Sequence, residues 1–466
     1  MRKRTPRRNI RQVTRAAFGI ILRARFSERP YAPYPGGLAL RDRTDAQIRK
    51  PAVTKLSLSK DKINILLLEG VHDNAIDELA RGGYASVERL PRALDESELL
   101  ERIGSVHILG IRSRTHLTAK VFEAASKLIT VGCFCIGTNQ VDLKAARRHG
   151  VPVFNAPYSN TRSVAELVIG EIIMLMRGIF EKSQLVHGGG WMKSAKDSYE
   201  IRGKTLGIVG YGHIGTQVSI LAEAMGMQVR FYDTVRKLAL GNARACDSLE
   251  ELLSVSDVVT LHVPDTPQTR DMIGERELAA MKKGSHLINA ARGQVVEIEA
   301  LAAAMNSGHI LGAAIDVFPV EPGSDKEEFQ SALRGIKTAI LTPHIGGSTM
   351  EAQANIGTEV AQKLLEYSDN GSTVGAVNFP QVALPVQAGC TRFLHVHENR
   401  PGMLRKVNEV FSGRDLNIAA QYLQTDPELG YVVVDVNGDV DELEVVNDLR
   451  AIEGTLKARF LFPSQH

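Results

Sequence analysis

The chain has 466 residues, of which 44% are hydrophobic and 23% charged, a balance typical of soluble globular proteins with about two to four domains. The formal net charge of +3 is unevenly distributed. Residues 1–30 hold ten Lys and Arg against one acidic residue, so the rest of the chain carries −6. An acidic body gives no reason to expect nucleic-acid binding outside the basic tail. No apolar run approaches the roughly 18–20 residues that a membrane span needs.

The four cysteines fit neither a disulfide framework nor a zinc pattern. Cys133 and Cys135 lie in an apolar run and are predicted to be buried thiols rather than metal ligands. The sequence therefore predicts a protein of the reducing cytoplasm that has no metal site.

Residues 1–54 form a basic N-terminal extension that contains Pro30, Pro33 and Pro35 close together and shows no sustained core periodicity. We expect a disordered tail. Two alternatives stay open, namely an organelle transit peptide, which is also Arg-rich and poor in acids, and a translation start near Val53.

An α/β unit begins near residue 55. Strand-like runs over 63–68, 107–111, 128–131 and 151–155 alternate with helix-like runs over 74–81 and 143–149, which predicts a parallel sheet. Binding loops lie beyond the carboxyl ends of such strands, so the loop with Arg112, Ser113 and Arg114 is well placed for a ligand. On position alone, a solvated loop is the alternative for these arginines.

Ser163 and Glu166 have capping-box spacing and are predicted to begin a long apolar helix over 164–177, which crosses into the next domain. A polar, Gly-rich segment over 182–203 follows and contains Trp191, the only tryptophan. This ring is either an interface anchor or a cover over a core.

The organising motif lies at 204–216. An apolar run over 206–209 predicts a buried strand, and Gly210, Gly212 and Gly215 follow in G-x-G-x-x-G spacing before a helix over 216–225. In a dinucleotide site these glycines allow a tight turn, approach of the backbone to a pyrophosphate, and close helix packing. The next strand, 228–232, ends in Asp233, a carboxylate suited to ribose hydroxyls.

The cofactor is predicted to be NAD rather than NADP, because the Asp233 carboxylate would repel a 2′-phosphate. Arg236 and Lys237 are the nearby cations that weaken this prediction.

The βα alternation continues after Asp233, with polar residues where strands end. Arg292, Glu321 and His344 each follow a strand of this half. A histidine can take and return a proton near neutrality, a carboxylate beside it fixes its tautomer, and a guanidinium matches a substrate carboxylate. Taken singly, each residue has a structural alternative, but their combination after a dinucleotide motif favours a dehydrogenase.

The C-terminal part begins with a long amphipathic helix over 350–368, which returns the chain to the first unit. Residues 371–390 are rich in Gly, Ser and Pro, and we expect a linker over 377–390. Residues 391–466 then show a βαββαβ order, which is typical of a small ferredoxin-like α+β domain.

From about residue 55 onward the chain resembles the D-2-hydroxyacid dehydrogenases, and within them the bacterial D-3-phosphoglycerate dehydrogenases that carry a single ACT domain. The motifs that carry this resemblance are the glycine series with Asp233, the series Arg292, Glu321 and His344, and the segments 112–118, 132–140, 154–163 and 343–349. Residues 1–54 depart from it.

The resemblance implies an α/β fold in which a doubly wound Rossmann-type NAD-binding domain, 160–346, is inserted into a split, flavodoxin-like substrate domain, 55–159 and 347–376. An ACT regulatory domain over 391–466 completes it. The implied activity is the NAD-dependent oxidation of 3-phosphoglycerate to 3-phosphohydroxypyruvate, the first step of serine synthesis, by a tetramer. Some members also reduce 2-oxoglutarate, which the sequence neither supports nor excludes.

The resemblance also implies roles for individual residues. His344 would be the acid/base, Glu321 its partner and Arg292 the carboxylate anchor. The implied cofactor-binding residues are Gly210, Gly212, His213, Ile214, Gly215, Asp233, Ala290, Ala291, Arg292, Asp316, His344, Ile345, Gly346 and Gly347. The implied substrate-binding residues are Arg112, Ser113, Arg114, Asn160 and, from a neighbouring subunit, Lys193. L-Serine would bind the ACT domain as an inhibitor through His397, Asn399 and Asn417.

Two hypotheses of other classes were weighed against this one. A nucleotide-sensing corepressor on the same fold would have no need of an amino-acid-binding tail, and a nucleic-acid-binding protein would need a groove-reading element that the acidic body lacks. A nearer alternative is another D-2-hydroxyacid dehydrogenase, such as a hydroxypyruvate or glyoxylate reductase. Arg112, Arg114 and the ACT-like tail argue against it.

Overall fold

The computed structural model describes residues 58–323, 326–385, 389–438 and 440–461. The N-terminal extension predicted over 1–54 lies outside these residues. Within the described ranges, the strands form three sheets of five, seven and four strands. None of the described helices combines the length and the apolar character that crossing a membrane requires.

The first sheet is parallel and has the flavodoxin-like strand order β2-β1-β3-β4-β5, as predicted. Its elements are β1 Ile65–Leu67, α1 Asp73–Arg81, β2 Val87–Arg89, α2 Glu96–Ile103, β3 Ile108–Ile111, α3 Ala119–Ala124, β4 Thr130–Cys133, α4 Leu143–Arg148 and β5 Val153–Asn155. Strands β1, β3, β4 and β5 are buried on both faces, because helices cover the sheet on each side. Strand β2 is the half-exposed edge.

Helix α5, Thr161–Arg177, leads out of this sheet, and α6, Ile179–His187, follows it. The predicted capping box at Ser163 and Glu166 is wrong, because the helix already begins at Thr161. The Ser163 hydroxyl instead lies 2.7 Å from the hydroxyl of Thr349, and Glu166 pairs with Arg162. Ser163, which the local pattern predicted as a helix cap, thus makes a contact with a segment that is distant in sequence.

The second sheet is also parallel, with strand order β12-β11-β10-β9-β6-β7-β8. Its elements are β6 Thr205–Val209, α7 His213–Ala224, β7 Gln228–Tyr232, β8 Arg244–Ala245, α8 Leu249–Val255, β9 Val258–Leu261, α9 Glu275–Ala280, β10 Ser285–Asn289, α10 Ile298–Asn306, β11 Ile310–Ile315 and β12 Ala339–Leu341. The strand order reverses between β6 and β9, so the sheet is doubly wound, as predicted.

Helix α11, Met350–Asn370, returns the chain to the first sheet and packs on α1, β4 and β5. The third sheet is antiparallel, in the order β14-β15-β13-β16. It consists of β13 Cys390–Glu398, α12 Met403–Ser412, β14 Asn417–Thr425, β15 Leu429–Asn437, α13 Glu442–Ala451 and β16 Thr455–Leu461, which is the predicted βαββαβ order.

The described part of the predicted linker, 377–385, does not behave as a free linker. Phe379, Val382 and Leu384 are buried in one hydrophobic cluster with residues of both the first and the third sheet. The Thr373 hydroxyl donates to the Pro380 carbonyl and accepts from the Val382 amide, which folds the segment back on itself. Composition indicates a loop here but does not reveal that its few apolar residues complete a core.

Candidate active site

The glycine loop lies where the second sheet reverses its strand order, between the carboxyl ends of β6 and β9. Gly210 has φ +92, and a Cβ on it would lie 2.4 Å from the His262 carbonyl oxygen. A Cβ on Gly215 would lie 2.3 Å from the Gly210 carbonyl oxygen. Both positions therefore exclude a side chain, so that the loop can pack against β9 and α7.

Gly212 differs from its two neighbours in the motif, because a Cβ on it would meet no protein atom within 4 Å. It is the N-cap of α7, whose first residues are His213 and Ile214, so free backbone N–H groups face this open space. The open position beside a twelve-residue helix N-terminus fits the pyrophosphate of a dinucleotide. The residues present thus fit the cofactor that the motif predicts.

Asp233 joins β7 to the glycine loop. One carboxylate oxygen accepts a hydrogen bond from the Tyr211 amide at 2.9 Å, and the other accepts from the Val235 amide at 2.9 Å. The carboxylate is therefore fixed beside the loop, where it would receive the ribose hydroxyls predicted for it.

His344 and Glu321 are brought together from two separate loops. The imidazole Nδ1 lies 2.9 Å from one oxygen of Glu321 and 3.1 Å from the other. The hydrogen bond to Glu321 raises the pKa of His344, although burial and the charge of Arg292 oppose the shift. For Glu321, burial raises the pKa, but the bond and charge of His344 outweigh it and leave the pKa lowered. The pair is suited to hold a proton on His344.

The loop that carries His344 is fixed by Asp316, which is buried at the end of β11. Its carboxylate accepts hydrogen bonds from the Thr342 hydroxyl at 2.6 Å and from the amides of Ile345 and Gly346, each at 2.8 Å. The His344 amide donates to the Asp316 carbonyl at 2.8 Å. Asp316, predicted as a cofactor ligand, is thus also the organiser of the catalytic loop.

Arg292 follows β10 through Ala290 and Ala291, and it donates from Nη1 to the Ala291 carbonyl at 2.6 Å. Its charge acts on the Cys135 thiol from one side, while that of Arg112 acts from the first sheet. Burial raises the pKa of this thiol to about 11, and both guanidinium groups lower it. Arg292 follows a strand of the second sheet and Arg112 a strand of the first, so the Cys135 thiol is near charged groups from both sheets.

Asn160 is the N-cap of α5. It packs against Gly347, where an added Cβ would lie 2.5 Å from the Asn160 amide nitrogen. Its carboxamide oxygen is buried and has no hydrogen-bond partner among the described residues. Lys193 is exposed between α6 and β6, and its predicted role requires a neighbouring subunit.

The sequence analysis missed two buried carboxyl groups near the site. Glu69 follows β1 and accepts hydrogen bonds from the backbone of the Arg112–Thr115 loop. Glu171 is 1% exposed in α5, where burial, with a contribution from the charge of Asp316, raises its pKa to about 8. Two signals in the sequence point to them. Glu69 comes directly after a buried strand, and Glu171 is an acid inside an apolar helical run.

The three residues predicted for the amino-acid site do not meet within one chain. His397 is buried, with Nδ1 bonded to the Glu398 carbonyl, and the exposed Asn399 donates to the Asp426 carbonyl at 2.7 Å. Strand pairing places His397 opposite Gly430 but Asn417 opposite Asn437, at the other end of the sheet. A site that uses all three residues therefore needs two chains.

Comparisons with known proteins agree with this geometry. Residues 169–346 match the D-isomer specific 2-hydroxyacid dehydrogenase NAD binding domain, and residues 393–457 match the AHAS small subunit-like ACT domain. D-3-phosphoglycerate dehydrogenase of Haemophilus influenzae is 60% identical over 408 residues, which cover 88% of this chain and 99% of that protein. The chain belongs to the D-3-phosphoglycerate dehydrogenase family.

A second relative and a solved structure add to this comparison. D-3-phosphoglycerate dehydrogenase of Escherichia coli strain K12 is 56% identical over 411 residues, covering 88% of this chain and 100% of that protein. A crystal structure of D-lactate dehydrogenase from Aquifex aeolicus complexed with NAD and lactic acid has a TM-score of 0.60 at 25% identity. This match covers 68% of the present chain and 100% of the D-lactate dehydrogenase chain. The predicted fold class, NAD cofactor and dehydrogenase class are confirmed, while the roles of single residues stay predictions.

Proposed function

We propose that this chain oxidises 3-phosphoglycerate to 3-phosphohydroxypyruvate, the first step of serine synthesis, in the cytoplasm and as a homotetramer. The observation that supports the proposal is the His344–Glu321 pair, whose Nδ1 and carboxylate oxygen lie 2.9 Å apart. The charge of Arg292 acts on His344, and the charges of Arg292 and Arg112 both act on the Cys135 thiol, so the pair and the loop of Arg112, Ser113 and Arg114 are inferred to share one site. A substrate with a carboxylate, a hydroxyl and a phosphate offers one partner to each of these groups.

His344 removes the proton of the substrate hydroxyl during oxidation and returns it during reduction. Glu321 orients the imidazole and stabilises its protonated form, as the raised pKa of His344 and the lowered pKa of Glu321 require. Arg292 holds the carboxylate, so the carbon that loses hydride is fixed relative to His344. NAD, when bound, accepts that hydride.

L-Serine is proposed as an allosteric inhibitor that binds at the ACT domain, through His397 and Asn399 of one chain and Asn417 of another. The opposite placement of these residues within one chain supports a site shared between two subunits. Exposed apolar residues of α6 and the following segment support a second contact between subunits: Ile179, Val186, Trp191 and Met192. Trp191 is 84% exposed, so the alternative that it covers a core does not hold within one chain.

A substrate panel with NAD tests the proposed activity. Initial rates are measured with NAD for 3-phosphoglycerate, D-glycerate and D-lactate, and with NADH for 3-phosphohydroxypyruvate, hydroxypyruvate and glyoxylate, each with and without L-serine. We expect 3-phosphoglycerate to have the highest kcat/KM. Arg114→Gln should raise its KM about tenfold or more while leaving the KM of D-glycerate unchanged, because only the phosphate contact is lost. An equal kcat/KM for glyoxylate and 3-phosphohydroxypyruvate in reduction would favour a glyoxylate reductase instead.

A further inference from the structure

Glu69 lies at the point where the first sheet reverses its strand order. It follows β1, while the loop of Arg112 follows the adjacent strand β3. In open α/β sheets this is the position where ligands bind. Glu69 is 9% exposed and has φ +62, in the left-handed region that a residue with a Cβ seldom adopts. A strained backbone at such a position indicates a function that requires it.

The Glu69 carboxylate is the centre of the substrate loop. One oxygen accepts hydrogen bonds from the amides of Arg112 at 3.1 Å and Thr115 at 2.9 Å, and the other accepts from the amide of Arg114 at 2.9 Å. The amide of Ser113, between them, is not bonded to Glu69. The loop is therefore wrapped around a buried negative charge, with three of its N–H groups turned inward.

A second side chain fixes the same loop at Arg112. Gln140, 7% exposed, donates from Nε2 to the Arg112 carbonyl at 2.5 Å. The backbone of Glu69 is itself tied to the loop after β2, because its amide donates to the Arg92 carbonyl at 3.0 Å. The conformation of the Arg112–Thr115 loop is thus determined before any ligand arrives.

The bonds between Glu69 and the loop amides limit how the 112–115 loop can bind an anion. Loop N–H groups that converge on one point commonly bind phosphate, but here a carboxylate of the chain already occupies that position. A substrate anion must therefore be bound by the side chains of Arg112, Ser113 and Arg114, and the Arg112 guanidinium is itself held by a 3.5 Å bond from Nη1 to the Glu69 carbonyl oxygen. We propose that Glu69 is a positioning residue that pre-forms this loop so that the two arginines face the anionic end of the substrate.

The proposal rests on the proposed function, in which this loop holds the phosphate. Glu69→Gln keeps the size of the side chain but replaces one acceptor oxygen with an NH₂ group, which would face a backbone donor. At least one loop amide then loses its partner, and the loop becomes free to rearrange. We expect KM for 3-phosphoglycerate to rise by about tenfold to a hundredfold, with kcat at saturation and the Kd of NADH within about threefold of wild type.

The experiment compares wild type, Glu69→Gln, Arg114→Gln and the double variant, with Tyr84→Phe as control. Tyr84 is buried in the same domain, and its hydroxyl bonds Ser368 and Asp369, away from the loop. Tyr84→Phe should lower the melting temperature without changing KM. If Glu69 acts through Arg114, the double variant should raise KM no further than the larger of the two single effects.

Several outcomes would overturn the inference. These are a wild-type KM in Glu69→Gln, strictly additive effects in the double variant, or parallel losses in KM, kcat and NADH affinity. If Glu69→Gln does not fold, Glu69→Asp replaces it, because Asp tolerates the left-handed region but is too short to reach all three amides. If wild type prefers an acid without phosphate, the proposed function fails. The same comparison is then made with that acid, and an unchanged KM would refute the role of Glu69.

Discussion

His344 has a backbone conformation that is costly for a histidine, with φ +54. Asp316 stabilises this conformation, because its carbonyl and carboxylate accept hydrogen bonds from the backbone of the same loop. The conformation places the imidazole against Glu321 and leaves it about half exposed, so a substrate can reach it. Strain at this residue is thus part of how the chain places the imidazole that is proposed as the acid/base group.

The hydrogen bond between His344 and Glu321 predicts a change in pH dependence for Glu321→Gln. Without the carboxylate, the main influence that raises the pKa of His344 is lost and burial lowers it instead. Oxidation needs the neutral imidazole, so its acidic limb should move to lower pH. Reduction needs the protonated imidazole, so its basic limb should also move to lower pH. In addition, kcat should fall by about 10²–10⁴ because the tautomer is no longer fixed.

This prediction is checked by profiles of kcat/KM against pH in both directions, for wild type and Glu321→Gln. Glu328→Gln provides a control, because Glu328 is an exposed acid that pairs with Arg334 in the same connection. Limbs that stay in place in Glu321→Gln would show that Glu321 does not set the pKa of His344.

At the scale of single residues, the sequence indicated Arg292, Glu321 and His344 because each follows a strand in a recognisable motif, and the structure brings Glu321 and Arg292 near His344. The sequence could not predict Glu69 or Asp316 as organisers of loops. Their importance lies in hydrogen bonds to backbone amides of another segment, 43 to 46 residues away for Glu69. Such bonds depend on which strands are neighbours in the sheet, and a local sequence pattern does not contain the strand order.

At the scale of the glycine loop and α7, two substitutions separate packing from cofactor binding. Gly215→Ala would place a Cβ 2.3 Å from the Gly210 carbonyl, and the resulting overpacking should destabilise the fold by about 1–3 kcal/mol. Gly212→Ala meets no protein atom, so its melting temperature should stay at the wild-type value. It should still raise KM for NAD by about tenfold or more, because the methyl group enters the space that the pyrophosphate needs.

Thermal melts without cofactor and titrations with NADH measure these two effects separately. A lowered melting temperature together with normal NADH affinity in Gly212→Ala would contradict the division of roles between the two glycines. Gly170→Ala is the matched control, since its Cβ would also meet no neighbouring atom, in the middle of α5.

The elements that the sequence predicted well are the long, strongly patterned ones. The predicted range of 228–232 agrees with β7, and the predicted helix over 350–368 agrees with most of α11. The sequence analysis missed β2 and α2 because the first is a three-residue, half-exposed edge strand and the second is only eight residues long. The start of α7 was predicted three residues late, since glycines suggest a loop although His213 already begins the helix.

At the scale of the whole described chain, the third sheet is not an independent module. Its residues Leu394, Tyr431 and Val433 share a hydrophobic cluster with Ile65 of the first sheet and Phe379 of the connecting segment. Arg392 is 6% exposed, pairs with Asp435, and donates to the carbonyls of Asn370 and Pro385. Polar and apolar contacts together join the ACT domain to the end of α11.

A further contact joins α4, in the predicted substrate domain, to the turn that contains Asn399, which is proposed to bind serine. Arg147 of α4 forms an ion pair with Asp426, and Asn399 donates to the carbonyl of that same Asp426. A change at Asn399 on ligand binding would therefore act on a residue that already contacts the substrate domain. Composition predicted the two domains but not this contact, because it arises only when the β14–β15 turn is placed beside α4.

The regulatory proposal predicts that L-serine inhibits and that Asn399→Ala or Asn417→Ala weakens the inhibition by about ten- to hundredfold. Each carboxamide would bond to a charged group of the zwitterion, and such bonds are worth roughly 1.5–3 kcal/mol. Uninhibited kcat should not change, since both residues are exposed and lie outside the catalytic cleft. The two variants should have similar effects although Asn399 and Asn417 lie at opposite ends of one sheet, because a shared site needs both chains.

The measurement is a serine titration of initial rates at fixed 3-phosphoglycerate and NAD for wild type, both variants and the control Gln424→Ala. Gln424 is exposed on β14, the strand that Asn417 begins, but near its other end. The control should be inhibited like wild type. Inhibition that is unchanged in both asparagine variants would refute the site, and serine inhibition that competes with 3-phosphoglycerate would place serine in the catalytic cleft. Loss of inhibition in only one variant would mean that a single chain supplies the site.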